Sequence, residues 1–375
     1  MRTGYTILRI CSRVRVLCVI LGLCALHSYG VVPKLDSSSL DFRNRVENSA
    51  DIQTRSFLET LPRNVLIIEP YHGLGNRLRA YASAAALARK SGRGLVVVWL
   101  QDSHLNASMS SLFDTSHLTI VNFPVQHLLS TSLADVVTYD YNKRGGKDKV
   151  LYAPSPAPIY VRSAYVLQSQ PKVSETEITV ELNKLVISAQ VKDRVQHLRN
   201  KLQVEMAGQR EMIGVHIRMN SDILRDVPGI QAVDRHHPAG VASMGPVAKE
   251  RRRCTYAAFI PHMQRALETN PDAVFFISSD TREATLRLRE KFGTRALLGF
   301  PAGLNGCDGS TSRSTRCLQN SLAEFFVMSK YSYSLILSSW SSASELILRM
   351  NAGKAKHEIG CFPPSSSWLG LGFLR

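Results

Sequence analysis

The feature that most restricts the fold is a repeated transition. A short, wholly apolar run ends abruptly in glycine or polar residues and gives way to a segment of helical period. Val65-Leu66-Ile67-Ile68 leads through His72-Gly73-Leu74-Gly75-Asn76 into an alanine-rich stretch from Arg77 to Lys90, with Leu78, Tyr81, Ala82, Ala85 and Ala88 at helical spacing. Gly92 and Gly94 stop that helix, and Leu95 to Trp99 is the next apolar run. Continuous apolar runs of this length are typical of parallel strands buried on both faces. Strand, helix and strand in this order make a βαβ unit, which implies an open parallel sheet covered by helices.

The pattern restarts in the second half. Met212 to Arg218 is a strand that ends in charge, and Ala257 to Glu268 is helical. Ala273 to Asp280 is a second buried strand with a polar edge, followed by a helix from Thr281, its cap, to Phe292. Ser321 to Ser329 is helical, Tyr333 to Leu337 is a strand, and Ser338-Ser339-Trp340-Ser341-Ser342 forms its edge before a helix from Ala343 to Met350. The spacing predicts two α/β halves, 63–205 and 206–375, joined near 190–210. A chain of 375 residues accommodates two such domains. Two segments, 139–172 and 220–253, carry proline, glycine and charge without periodicity and read as irregular connections.

The N-terminus reads as targeting. Arg2, Arg9, Arg13 and Arg15 precede an apolar run from Val16 to Leu26, with no acid among them. The run has the length of a signal-peptide core, and Ser28-Tyr29-Gly30 supplies small residues for cleavage. It is short of the roughly 20 apolar residues of a full span. Residues 1–30 therefore suit a cleaved signal or a short signal-anchor, with the basic side cytosolic. Residues 31–62 are polar and weakly patterned, as a stem would be. Three of the seven cysteines, Cys11, Cys18 and Cys24, fall in the targeting segment. Cys254, Cys307, Cys317 and Cys361 remain, an even number suited to an oxidising compartment. Cys307–Cys317 would close a small Gly/Ser/Thr-rich loop and leave Cys254–Cys361. Zinc is the rival use, without a close C-x-x-C pair to support it. Asn106-Ala107-Ser108 is a glycosylation sequon.

Ligands of open α/β sheets gather at the carboxyl ends of strands. Four such ends are polar here: His72–Arg77, His216–Asp222, Ser278–Thr281 and Ser338–Ser342. The fold predicts their convergence on one cleft. The glycine turn, with Gly73 and Gly75, suits phosphate approach to a helix N-terminus, and Asn76 and Arg77 can donate to phosphate or sugar oxygens. It is not a Walker A loop, because no G-K-[ST] follows. Arg218 is suited to neutralise a diphosphate leaving group. Ser341 and Ser342, just before a helix, are suited to hold phosphate oxygens. His216 reads as a base, a ligand-binding residue or a core histidine. No Asp-x-Asp occurs in the chain, so charge neutralisation falls to arginine and helix ends rather than to a divalent metal.

Gly73-Leu74-Gly75-Asn76-Arg77, His216-Ile217-Arg218-Met219-Asn220-Ser221-Asp222, Ser279-Asp280-Thr281 and Ser338-Ser339-Trp340-Ser341-Ser342 together resemble the GDP-fucose-dependent fucosyltransferase superfamily. That group includes the protein O-fucosyltransferases, α-1,6-fucosyltransferases and nodulation fucosyltransferases. Order and rough spacing agree over about 64–350. The resemblance implies a GT-B fold, two Rossmann-like halves with a cleft between them, and inverting, metal-independent transfer of fucose from GDP-fucose. It implies catalytic roles for Arg218 and Asn76. It implies donor binding by Gly73, Gly75, Arg77, His216, Asp222, Asp280, Ser341 and Ser342. The acceptor would be a protein or glycan hydroxyl in the endoplasmic reticulum or Golgi lumen. The protein would be a single-pass membrane protein if the N-terminus anchors it, or secreted if it is cleaved. Met219 departs from the α-1,6 and nodulation pattern, which has a second arginine there, and brings the motif closer to the protein O-fucosyltransferases. Asp222, Glu69 and His216 are the candidate general bases.

Two rivals belong to the same fold: a GT-B transferase with another nucleotide sugar, and a non-catalytic relative that binds glycan or peptide. The net charge of +16, with a cluster at Lys249, Arg251, Arg252 and Arg253, suits an acidic partner. No nucleic-acid-binding motif accompanies it, and nucleic acid is not expected as a partner.

Overall fold

The computed structural model describes residues 64–125, 136–143, 149–154, 156–206, 211–219, 254–300, 307, 313–339 and 341–361. The targeting segment, the stem, Asp222 and the Lys249–Arg253 cluster lie outside the described residues. No helix among the described residues is long and apolar enough to cross a membrane.

Two five-stranded sheets, both wholly parallel, make up an α/β fold. The first contains β1 (Val65–Pro70), β2 (Gly94–Val98), β3 (Thr119–Val121), β4 (Val137–Asp140) and β6 (Ile159–Ser163). Its order is β3-β2-β1-β6-β4. Two short strands, β5 (Leu151–Tyr152) and β7 (Ser169–Gln170), pair beside it. The second contains β8 (Met212–Ile217), β9 (Val274–Ser279), β10 (Ala296–Leu298), β11 (Ser334–Leu337) and β12 (Lys356–Ile359), in the order β10-β9-β8-β11-β12. Strand order reverses beside β1 in one sheet and beside β8 in the other. Such reversal points are where crevices open at the carboxyl ends of strands.

The central strands form because their residues are apolar on both faces. All six residues of β1 and of β8 are buried. The helices are α1 (Leu74–Lys90), α2 (Met109–Leu112), α3 (Glu175–Asn183), α4 (Ala189–Glu205), α5 (Tyr256–Thr269), α6 (Arg282–Phe292), α7 (Thr315–Tyr331) and α8 (Ser342–Asn351). Thr281 caps α6 by accepting from the Ala284 N–H, as its position in the sequence predicted. One hydrophobic cluster runs through both sheets, with Leu66, Ile68 and Val97 alongside Leu322, Leu335 and Ile347.

The segment 139–172 is more ordered than its prolines suggested. Ile159-Tyr160-Val161 pairs with β1 and makes β6 an interior strand of the first sheet, between β1 and β4. The prolines Pro154, Pro156 and Pro158 precede that strand, where no ladder N–H is needed. The join near 190–210 is largely α4, whose Val191, Val195, Leu198 and Leu202 recur at helical spacing on its buried face. Arg194 on α4 donates to Gln319 and Asn320 of α7.

Both expected disulfides are present, Cys254–Cys361 and Cys307–Cys317. The first spans a sequence separation of 107 residues. Loop closure of that length is worth about 4 to 5 kcal/mol on the chain-entropy account.

The two sheets meet most closely where α1 and α8 begin. A Cβ on Gly75 would lie 2.3 Å from the Ser342 carbonyl oxygen and 2.5 Å from its carbon. Only glycine allows that approach of backbone to backbone. Gly75→Ala is expected to cost about 1 to 3 kcal/mol through overpacking. A thermal melt equal to that of the unsubstituted protein would show that the contact yields freely.

Candidate functional site

The carboxyl ends of β1, β8, β9 and β11 open on one cleft of about 350 Å³. His72, Gly73, Leu74, Gly75, Asn76 and His104 line the side of the first sheet. His216, Arg218, Ser278, Ser279, Asp280, Ser341 and Ser342 line the side of the second. The four polar strand ends thus come together. A cleft of this size is of the order that holds a small-molecule ligand.

The N-terminal wall starts from the glycine turn. Gly73 is the N-cap of α1 and offers no side-chain bond to its first turn. The early N–H groups of α1 are therefore open to a ligand, and the helix end is electropositive. The Asn76 side chain is half-buried and makes no hydrogen bond to a described residue.

Arg77 departs from expectation. It is wholly buried and does not line the cleft. Its Nε donates to the His72 carbonyl at 2.7 Å, Nη1 to the Leu100 carbonyl, and Nη2 pairs with Asp102 at 2.7 Å. These three partners draw the side chain into the protein, behind the turn. Its place is to hold the turn, not a donor.

On the second wall, Arg218 is fixed at three points. Its own N–H donates to Ser338 Oγ at 2.7 Å, and the next N–H, of Met219, donates to Asp280 Oδ1 at 2.8 Å. Its guanidinium pairs with Asp280 Oδ2 at 2.8 Å. Asp280 therefore orients Arg218 with both oxygens. Burial pushes the Asp280 carboxyl up, and Arg218 pulls it back down.

His216 is buried, shares a 2.8 Å hydrogen bond between Nδ1 and Ser344 Oγ, and meets Phe325 edge to face. Burial, then the charge on Arg218, lowers its pKa to about 3. The ring is neutral at physiological pH and too weak a base to take a hydroxyl proton. Glu69 is also unsuited to that role. Tyr160 donates to its Oε2 at 2.5 Å, Arg162 lies 3.0 Å from its Oε1, and it does not line the cleft. Ser341 caps α8, its hydroxyl oxygen accepting from the Ser344 N–H at 3.3 Å, while its O–H is left to donate. Ser342 is the first residue of α8 and lines the cleft beside Gly75.

Several cleft residues were not singled out by the sequence reading. Arg313 lies inside the loop closed by the Cys307–Cys317 disulfide. Its guanidinium makes no hydrogen bond to a described residue. Burial first, then the like charge on Arg218, lowers its pKa. Glu324 projects from α7 into the cleft wall, accepting from Ser278 Oγ at 2.6 Å and from the Phe300 N–H at 2.7 Å. Burial raises its pKa to about 7 against those bonds and Lys201. The available signal was an acid amid Leu322, Ala323, Phe325 and Phe326. His72 and His104 lie on the opposite wall, ring centroids 5.2 Å apart.

No family model matches the chain. No curated protein matches it in sequence. Among solved structures, fucosyltransferase NodZ from Bradyrhizobium is 13% identical, with 76% of this chain and 92% of that chain covered and a TM-score of 0.48. A mutant of FUT1 from Arabidopsis thaliana in complex with GDP is 12% identical, covering 91% and 83%, with a TM-score of 0.48. POFUT1 in complex with GDP is 12% identical, covering 80% and 99%, with a TM-score of 0.45. At such identities the chemistry of the cleft rests on this chain's own residues.

The raised pKa of Glu324 has a definite consequence for stability. The folded protein keeps a proton that the unfolded chain releases between about pH 4.5 and 7. Stability therefore falls as pH rises through that window. Glu324→Gln is expected to flatten the fall. Thermal melts from pH 4 to 8 check this, and parallel curves for the two proteins would rule out the raised pKa.

Proposed function

We propose that the chain transfers fucose from GDP-fucose to a hydroxyl of a protein or glycan acceptor, with inversion at the anomeric carbon. The observation that carries this is the Arg313 guanidinium, without a hydrogen-bonding partner among the described residues, in the same cleft as the Arg218–Asp280 pair and faced by two helix N-termini. The like charges of Arg218 and Arg313 disfavour each other, Asp280 offsets part of that, and a bound anion offsets the remainder. A diphosphate supplies that charge, and charge-assisted bonds from arginine are the strong ones. Each of the motifs that carry the resemblance contributes residues to this cleft, Gly73, Gly75 and Asn76, His216 and Arg218, Ser279 and Asp280, and Ser341 and Ser342, which supports the fucosyl donor.

In this reading the diphosphate rests between Arg218, Arg313 and the starts of α1 and α8. The Ser341 hydroxyl donates to it. Asp280 holds Arg218 in place and keeps its fork from turning. Charge grows on the diphosphate as the anomeric bond breaks, and fixed cations stabilise that charge most in the transition state. Asn76 reaches the sugar from the opposite wall. Two parallel sheets with a cleft at their carboxyl edges support the GT-B arrangement. Arginines and helix ends do the work that a divalent metal does elsewhere, so we propose transfer without a metal. The two disulfides support a luminal, oxidising compartment, the endoplasmic reticulum or Golgi, reached through the N-terminal segment as a signal or an anchor.

Calorimetry of the full chain with GDP, GDP-fucose, GDP-mannose, UDP and UDP-sugars, with and without divalent metal, tests this. Selective, metal-independent binding of GDP and GDP-fucose is expected. Arg218→Ala should fold normally and lose about 10²- to 10³-fold in turnover, the scale for removal of one transition-state donor. Preference for a uridine nucleotide would transfer the assignment to another donor. Binding of GDP-fucose without turnover would leave a non-catalytic relative.

A further inference from the structure

The first wall of the cleft contains a strained residue. His72 has φ of 66°, the left-handed region that glycine enters without steric cost. A histidine stands there, immediately before the glycine turn. A left-handed residue other than glycine costs about 1 to 2 kcal/mol. Strain of this kind persists only where the surroundings impose it, and it gathers at functional sites.

The surroundings do impose it. The His72 carbonyl accepts from Arg77 Nε at 2.7 Å. The same guanidinium holds Asp102, whose Oδ1 accepts from the N–H groups of His104 and Leu105. Arg77 thus fixes both the turn that carries His72 and the loop that carries His104. The His72 ring packs against Tyr71 at 4.7 Å and against His104 at 5.2 Å, centroid to centroid. Neither of its ring nitrogens is hydrogen-bonded to a described residue. The ring lines the cleft on the wall that faces Arg218.

We propose that His72 is the general base of the transfer, taking the proton of the acceptor hydroxyl; this rests on the donor reading above. As the acceptor oxygen bonds to the anomeric carbon, the bond from that carbon to the β-phosphate oxygen breaks. Its electron pair leaves with GDP, held by Arg218. The acceptor proton passes to a free ring nitrogen of His72 and then to solvent.

The groups that face His72 are His104, Asp102, Arg77, Arg162 and Tyr71. Burial is the largest influence on its pKa and lowers it, and His104, Arg77 and Arg162 lower it further. Asp102 acts the other way, but its carboxylate is committed to Arg77. His72 is therefore neutral, and ready to accept a proton, near neutral pH. Among the described residues, His216 is committed to Ser344, Glu69 to Tyr160 and Arg162, and Glu324 to Ser278 on the donor wall; Asp222 lies outside the described residues.

The test uses the full chain with water as acceptor, following GDP release from GDP-fucose. His72→Asn keeps a residue that tolerates the left-handed backbone, and His72→Gly removes the strain. Both variants are expected to melt at or above the temperature of the unsubstituted protein and to bind GDP with unchanged affinity. GDP release should fall by about 10²-fold or more, the range for loss of a general base. The decline in turnover toward acid pH should disappear in the variants, and added imidazole should restore His72→Gly. Unchanged turnover and pH profile in variants that bind GDP would overturn the proposal. So would a protein that binds GDP yet releases none from GDP-fucose. A folded protein that fails to bind GDP would instead overturn the donor reading.

Discussion

The N-terminal wall of the cleft depends on one buried cation. Arg77 has no exposed surface, and taking a guanidinium out of water costs several kcal/mol unless its donors are met. They are met by two carbonyls, one carboxylate and the face of Trp99, 5.2 Å from its centre. Lysine lacks the planar fork that reaches three oxygens at once. Through these bonds the β1–α1 turn and the loop at 100–105 move as one piece. The glycines of the turn, the Asn76 amide and the two imidazoles owe their positions to it.

The second wall is organised by charge of the opposite sign. Asp280 binds both the Arg218 side chain and the following N–H, so the acid serves the arginine rather than a ligand. The two walls come together where α1 and α8 start, at the contact between Gly75 and Ser342. Arg79 on α1 ties the same junction, donating to the Ala164 carbonyl at 2.8 Å and pairing with Glu345 of α8 at 3.0 Å. Two electropositive helix ends, Arg218 and Arg313 give the cleft a positive bias that Asp280 offsets in part.

Much of this was legible in the residues. The apolar runs at β1, β2, β8, β9 and β11 announced themselves because a strand buried on both faces has no polar positions to interrupt it. β6 did not, since a run of three apolar residues among prolines resembles a loop until β1 is available to pair with it. α4 carries only one apolar face along a charged surface, and its four buried residues become a signal only when read at helical spacing. At the site, Arg218, Asn76, Ser341 and Ser342 stood out because they lie just after apolar strands or at the starts of the helices that follow them. Arg313 and Glu324 were missed because neither terminates a strand; they reach the cleft from a disulfide-closed loop and from the middle of a helix. Arg77 was misplaced for the converse reason, since a motif position says nothing of which way a side chain turns.

What the sequence by itself determined is local and periodic: the parallel strands, the helices between them and the polar strand ends. Hydrophobic period and residue chemistry act over a few neighbours, so a linear reading captures them. What only the tertiary structure decided is partnership: Asp280 for Arg218, Asp102 for Arg77, Ser344 for His216, and the left-handed backbone at His72. These depend on distances between residues far apart in the chain, and on how much water burial removes from each charge.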